Sequence, residues 1–387
     1  MTGGGLGRVH TEREVLCDRD DPLVLESGAT IAPVEVAFET YGTLDEARSN
    51  VVFACHALTG DAHAAGHHGN PSQRGWWDNL IGPGRAVDTD QFFVICPNLL
   101  GGCQGTTGPS SIDPVSGRAY GLSFPLFTVR DLTRLHRRLL RALSIDGVHT
   151  VIGGSLGGMQ ALQWALDHPT EVQRAVLICA TAKLSAQNIA FSAVARAAIM
   201  RDPAFAGGDY LATPWRPERG MATARMLGHI TYLSEESMRR KFDRQRRVPG
   251  AAMTFAEDFE VEHYLAHQGK SFVRRFDALT YLYLSRTMDY FDPLADPALA
   301  LADVASAGTR FRLISFDSDW RFGSHHSAQL TRELTQGGVD ARHTEVSSPW
   351  GHDSFLLDVP EYHRRISLFL NEGHVTEEDA GARAHAS

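Results

Sequence analysis

Ser155 lies in Gly153-Gly154-Ser155-Leu156-Gly157-Gly158, so Gly153, Ser155 and Gly157 fill a Gly-x-Ser-x-Gly pattern. Val151-Ile152 precede it, and a helix-forming stretch, Met159 to Leu166, follows at once. A strand, a sharp turn and then a helix form the context in which such a serine becomes a nucleophile. The turn crowds the backbone, so its neighbours must be small. It also lifts Oγ clear of the sheet at a helix N-terminus, where backbone N–H groups can receive developing negative charge. A surface serine in a glycine-rich loop shares the pattern but lacks the flanking strand and helix.

A serine hydroxyl needs a base held by a third group. Around an elbow of this kind the chain order is serine, then acid, then histidine. Asp317 and Asp319 both follow the apolar run 311–316, and position alone does not choose between them. His352 follows a strand-like stretch, 341–346, in a loop where Gly351 lets the backbone bend. The other late histidines fit less well: His325 and His326 start a helix, His343 lies in the strand, His363 in the last helix, and His374 and His385 in the tail. For the oxyanion the expected donors are the N–H of Leu156, just after the serine, and that of Leu58, in the loop after the run 51–55. His56, His63, His67 and His68 cluster in that region, but alanine, glycine and asparagine surround them and no ligand spacing recurs with a carboxylate. No metal site is expected.

These residues require a scaffold. Apolar runs at 51–55, 92–96, 150–153, 174–179 and 311–316 lack polar alternation, as parallel strands covered on both faces do. Residues 34–39 partly alternate, as an antiparallel edge strand would. Between the runs lie amphipathic helices. One starts after Thr128, a cap paired with Asp131, and sets Val129, Leu132, Leu135, Leu139, Leu140 and Leu143 on one face. The alternation predicts a mostly parallel, doubly wound α/β sheet over 21–182 and 301–372. Between them, 183–300 reads as helical, with helices at 185–201, 234–246 and 277–290, and is expected to form a lid. Segments 1–20 and 373–387 read as flexible tails.

The chain has 387 residues and a formal net charge of −9, with no basic run, which argues against nucleic acid as a partner. Its five cysteines are scattered, and Cys55, Cys96 and Cys179 sit in or beside apolar runs, as buried thiols do. Residues 1–20 carry no apolar signal-like core, and no apolar run approaches the roughly 20 residues that span a bilayer. A cytoplasmic enzyme without membrane association is expected.

Seven segments, the elbow among them, resemble one family. They are His56-Ala-Leu-Thr-Gly-Asp-Ala-His63, the glycine-rich 98–109, the elbow 153–160, Gly228-His-Ile-Thr-Tyr-Leu-Ser234, Arg275-Phe-Asp277, Asp317-Ser-Asp-Trp320 and Gly351-His-Asp-Ser-Phe-Leu-Leu357. Together, over about 23–371, the chain resembles the homoserine O-acyltransferases, α/β-hydrolase-fold enzymes of methionine biosynthesis. The resemblance implies that Ser155, Asp319 and His352 form the catalytic triad, choosing Asp319 over Asp317. It implies that Arg225 meets the homoserine carboxylate and that Tyr232 and Asp353 help hold the amino acid. Leu156 stands where many members have methionine, but only its N–H is needed. Arg321, two residues past Asp319, resembles the branch that uses succinyl-CoA, since a succinyl carboxylate needs a cation once desolvated. An acetyl-CoA-dependent homoserine O-acetyltransferase, a serine O-acyltransferase and an esterase or thioesterase on the same triad are the alternatives. The resemblance also implies small-molecule substrates, acyl-CoA as co-substrate with no cofactor, and a homodimer.

Overall fold

The computed structural model describes residues 5–372. Its centre is an eight-stranded sheet. The strands are β1 Glu12–Cys17, β2 Val34–Tyr41, β3 Val51–Cys55, β4 Phe93–Pro97, β5 Val148–Gly154, β6 Val172–Ile178, β7 Arg310–Phe316 and β8 Asp340–Val346. They stand in the order β1-β2-β4-β3-β5-β6-β7-β8. β2 runs antiparallel to both β1 and β4, and every other pair is parallel. Every residue of β3 and β5 is buried, which explains the unbroken apolar run of β3, while β5 also buries His149 and Thr150.

Two expectations about the N-terminal region change. Residues 34–39 are antiparallel as expected, but β2 is not the edge. The edge is β1, inside the segment read as a tail: Glu12 pairs with Phe38 and Glu14 with Val36. Its sequence, Glu-Arg-Glu-Val-Leu-Cys, is mostly exposed and charged, as an edge strand that must resist further pairing can be. The expectations for 373–387, including His374 and His385, lie outside the described residues.

The helices on the sheet are α1 Val129–Ala142, α2 Leu156–Asp167, α8 Pro297–Ala307, α9 Ser324–Gln336 and α10 Pro360–Leu370. α1 starts with a reciprocal cap, in which the Asp131 N–H donates to Thr128 Oγ1 at 3.2 Å and the Thr128 N–H donates to Asp131 Oδ2 at 3.0 Å. Leu132, Leu135, Leu139 and Leu140 are buried from it. α2, which follows the elbow, is buried from Leu156 to Leu166, with Trp164 packed edge-on against Phe53 of β3. A large side chain buried in this way stabilises the fold by about 1.5–3 kcal/mol. That burial fixes the helix N-terminus on which the serine stands.

Between β6 and β7 the chain forms α3 Ala186–Met200, α4 Glu218–Tyr232, α5 Glu235–Phe242, α6 Glu260–Val273 and α7 Ala278–Asp289, with no strand among the described residues there. Ser185 and Asp277 cap α3 and α7 through their side chains. α5 stops four residues before the expected 246, where Asp243 takes φ 45°. α8 straddles residue 300 and packs on α2, so the sheet-side layer resumes at Pro297 rather than at 301. No described helix is long and apolar enough to cross a membrane. All five cysteines are free thiols.

Candidate active site

Ser155 joins β5 to α2 with φ 56° and ψ −122°, a conformation that costs an L-residue energy. Its N–H donates to the Ile178 carbonyl at 2.9 Å, which ties the turn to β6. The glycines on either side permit a close crossing. A Cβ on Gly153 would lie 2.3 Å from the Gly157 carbonyl carbon, and one on Gly157 would lie 2.1 Å from the Cys55 oxygen. Leu156 is the first residue of α2, and the leading N–H groups of a helix lack intrahelical partners. Leu58 lines the same cavity as Ser155.

The structure places Asp319, not Asp317, against His352. Nδ1 of His352 lies 2.7 Å from Asp319 Oδ2. Asp319 Oδ1 accepts from the N–H groups of Arg321 at 3.0 Å and Phe322 at 2.8 Å. Burial pushes this carboxyl up, but the adjacent imidazole and these two donors outweigh it, and the net shift is downward. The acid therefore stays ionised and holds the ring in one orientation. Asp317 instead accepts from the Ser348 N–H at 3.0 Å and braces the loop that carries the histidine. Gly351 has φ 69°, and a Cβ there would lie 2.5 Å from the Tyr232 carbonyl oxygen, so this loop presses directly on α4. Phe322 stacks on the imidazole at 4.9 Å between ring centroids. Of the other histidines, His325 and His326 lie in the first turn of α9, His343 bonds Ser315 Oγ at 2.7 Å within the sheet, and His363 belongs to α10.

Ser155, His352, Leu58, Arg225, Tyr232, Arg321 and Asp353 line one cavity of about 90 Å³. Three charged side chains there lack a charged partner. Arg321 is only 8% exposed, and its guanidinium donates to Thr231 Oγ1 at 2.7 Å and lies over the Tyr232 ring at 5.1 Å. Arg225 approaches Thr59 Oγ1 at 3.5 Å and lies over the Phe272 ring at 4.9 Å. Among the described residues neither arginine meets a carboxylate within 4.0 Å, and Asp353 meets no cation within that distance. Burial pushes the Asp353 carboxyl up by more than His352 and Arg225 bring it down. Arg321 is buried and Arg225 and Asp353 are half-buried, and a charge withdrawn from water without a partner is costly, so the cavity suits a charged ligand.

The histidine cluster divides. His56 turns into the core: Nδ1 lies 2.8 Å from the Ala57 carbonyl, and Nε2 accepts from the Leu99 N–H at 3.2 Å. Nε2 also lies 3.2 Å from Asn98 Oδ1, and burial lowers the His56 pKa, which favours the neutral ring. Gln160 of α2 donates to the His56 carbonyl at 3.1 Å and bonds His136 Nε2 at 2.9 Å. His63 and His68 meet the fully buried carboxylate of Glu39 at 3.0 and 2.7 Å. Thr11 and Tyr41 also donate to that carboxylate, each at 2.8 Å. Arg275 donates to the Thr59 carbonyl at 3.0 Å. These contacts fix the loop that carries Leu58. Sequence reading missed Gln160, His136, Glu39 and Arg275 as its supports; for the first three the signal was polarity inside buried elements, whereas Arg275 lies exposed between α6 and α7.

A family model described as the alpha/beta hydrolase fold matches residues 50–359. The homoserine O-succinyltransferase of a Nocardioides species is 57% identical over 367 residues, which is 95% of this chain and 99% of the relative. The homoserine O-acetyltransferase of Caulobacter vibrioides is 47% identical over 353 residues, 91% of this chain and 92% of the relative. The crystal structure of homoserine O-acetyltransferase from Bacillus anthracis superposes with a TM-score of 0.86 at 29% identity, covering 94% of this chain and 98% of that one.

Proposed function

Because the chain belongs to the homoserine O-acyltransferases of the alpha/beta hydrolase fold, we propose that it moves a succinyl group from succinyl-CoA to the hydroxyl of L-homoserine. The observation that carries the donor assignment is the charge inventory of the cavity: two arginines and one aspartate, none with a charged partner. Homoserine brings one carboxylate and one ammonium. A succinyl group brings a second carboxylate. The sum pairs every charge: Arg225 with the homoserine carboxylate, Asp353 with its ammonium group beside Tyr232, and Arg321 with the distal succinyl carboxylate. An acetyl group would leave Arg321 buried and unmatched.

The chemistry is a two-stage exchange. His352 takes the proton of Ser155 as Oγ attacks the thioester carbonyl, and the N–H groups of Leu58 and Leu156 receive the oxyanion. The C–S bond breaks, CoA leaves with the proton from His352, and the acyl group remains as a serine ester. His352 then takes the proton of the homoserine hydroxyl, whose oxygen attacks the ester, and Ser155 is released with the proton returned. Asp319 keeps the imidazole oriented and stabilises its charged form throughout. The reaction requires no metal or redox cofactor. The helices between β6 and β7 cover the ester and limit its loss to water. The test is a four-way assay with succinyl-CoA or acetyl-CoA as donor and homoserine or serine as acceptor. The highest kcat/KM should fall on succinyl-CoA with homoserine. Rapid CoA release without any acceptor would instead make the chain a thioesterase.

A further inference from the structure

The cavity at Ser155 is too small for more than the reacting ends of the substrates, yet the donor carries a long pantetheine arm and several phosphates. It adjoins a second cavity of about 700 Å³, and the two share Asp353 and Leu356. None of the other cavities described shares a lining residue with the site. The walls of this groove are mainly apolar: Leu233 after α4, Tyr264 of α6, and Trp350 and Leu357 on the loop that bears His352. Leu357 is 38% exposed. Two exposed cations of α5, Arg240 and Lys241, also line it. Arg240 pairs with Glu236, but Lys241 meets no carboxylate within 4.0 Å among the described residues. Its Nζ lies 4.2 Å from the centre of the Tyr264 ring, which holds the ammonium group at the groove.

We propose that this groove between α5, α6 and the 350–357 loop holds the coenzyme A half of the acyl donor. The pantetheine arm lies along Leu233, Trp350 and Leu357, and a phosphate meets Lys241, with Arg240 as a second contact. The inference rests on the acyltransferase reading and adds a donor subsite to it. The groove is continuous with the site, apolar along its walls, and supplied with cations on α5. That is the polarity of an acyl thioester of CoA, which is reactive at one end, mainly apolar or amide in the middle and anionic at the far end. Lys241 lines the groove but not the cavity at Ser155, so it acts on donor affinity and leaves the chemical step alone.

The experiment compares succinyl-CoA with S-succinyl-pantetheine, which keeps the arm and lacks the nucleotide and all of its phosphates. Lys241→Ala should raise the KM for succinyl-CoA roughly tenfold and weaken CoA binding in calorimetry by a similar factor. It should leave kcat, the KM for homoserine and the KM for S-succinyl-pantetheine unchanged. Arg240→Ala should act in the same direction more weakly, and Leu357→Asp should weaken both donors alike. Equal effects of Lys241→Ala on the two donors, or unchanged CoA affinity, would overturn the assignment. If the wild-type chain transferred no acyl group from any CoA thioester, the function proposed above would fall. CoA calorimetry on the same variants would still decide the groove.

Discussion

Replacing Arg321 with leucine isolates the donor question. The side chain is buried at the cavity, and its guanidinium makes one neutral hydrogen bond, to Thr231. With a succinyl group bound, Arg321→Leu leaves the distal carboxylate desolvated and unpaired. Removing one partner of a buried ion pair costs about 3–5 kcal/mol. The cavity opens to the neighbouring groove, so solvent screens part of this and the lower end applies. About 3 kcal/mol corresponds to a loss of roughly 100-fold in kcat/KM for succinyl-CoA. The hydrogen bond to Thr231 and the packing over Tyr232 and Phe191 are lost whichever donor is used. That common cost is about 1 kcal/mol, or roughly fivefold. Asp319 keeps its bond from the residue 321 N–H, because any side chain leaves the backbone donor in place. The assay follows release of the CoA thiol at saturating homoserine for succinyl-CoA and acetyl-CoA, with an acceptor-free control for hydrolysis and a urea melt to check the fold. The donor ratio should move at least tenfold towards acetyl-CoA. If both donors fell by the same factor, Arg321 would be a structural residue and the charge-matching argument would be wrong.

Ser155→Ala should cut transfer by at least about 10⁴-fold. Ser155→Gly should also be inactive, yet stabilise the fold by about 1 kcal/mol in urea unfolding, because glycine accepts φ 56° and ψ −122° without strain. A less stable glycine variant would contradict the reading of a strained elbow. Gly157→Ala should destabilise by about 3 kcal/mol or more, since its Cβ would meet the Cys55 backbone oxygen at 2.1 Å, and a soluble variant with an unchanged melt would refute that close approach. Burial pushes the His136 imidazole down from 6.5 to about 4 in the folded chain. The unfolded chain therefore binds more protons between these values, and stability should fall as pH drops from 6.5 towards 4, by about 3 kcal/mol in full. Urea midpoints measured across that range should show the slope, His136→Gln should flatten it, and a slope unchanged by the substitution would assign it to other groups.

The parts of this molecule that sequence revealed are those whose causes are local. The elbow is contiguous: the residues of β5, Ser155 and α2 follow one another, so strand, turn and helix can be recognised without knowing what packs on them. The buried parallel strands were legible because burial on both faces erases polar alternation, and 51–55 coincides with β3. β1 was missed for the converse reason. Its exposed, charged residues carry no burial signal, and only pairing with β2 makes it a strand. Asp317 and Asp319 could not be separated by position, because they differ in side-chain direction: Asp317 turns to the Ser348 N–H and Asp319 to His352.

The supports of the loop that carries Leu58 were beyond reach for another reason. Gln160 meets the His56 carbonyl across 104 residues, and Glu39 meets His63 and His68 across 24 and 29. No spacing rule joins partners that only the closed sheet brings together. The same holds for the charged residues that line the cavity at Ser155. Arg225 comes from α4, Arg321 from the turn after β7, and Asp353 from the loop after β8, so each alone reads as an ordinary charged residue. Their grouping appears only when they face one cavity without ion-pair partners, where a charge shielded from water favours a charged ligand. On the function proposed above, Ser155, His352 and Asp319 would define a reaction that many substrates could enter, and the unmatched charges would narrow it to an acceptor with one charge of each sign and a donor whose acyl group ends in an anion.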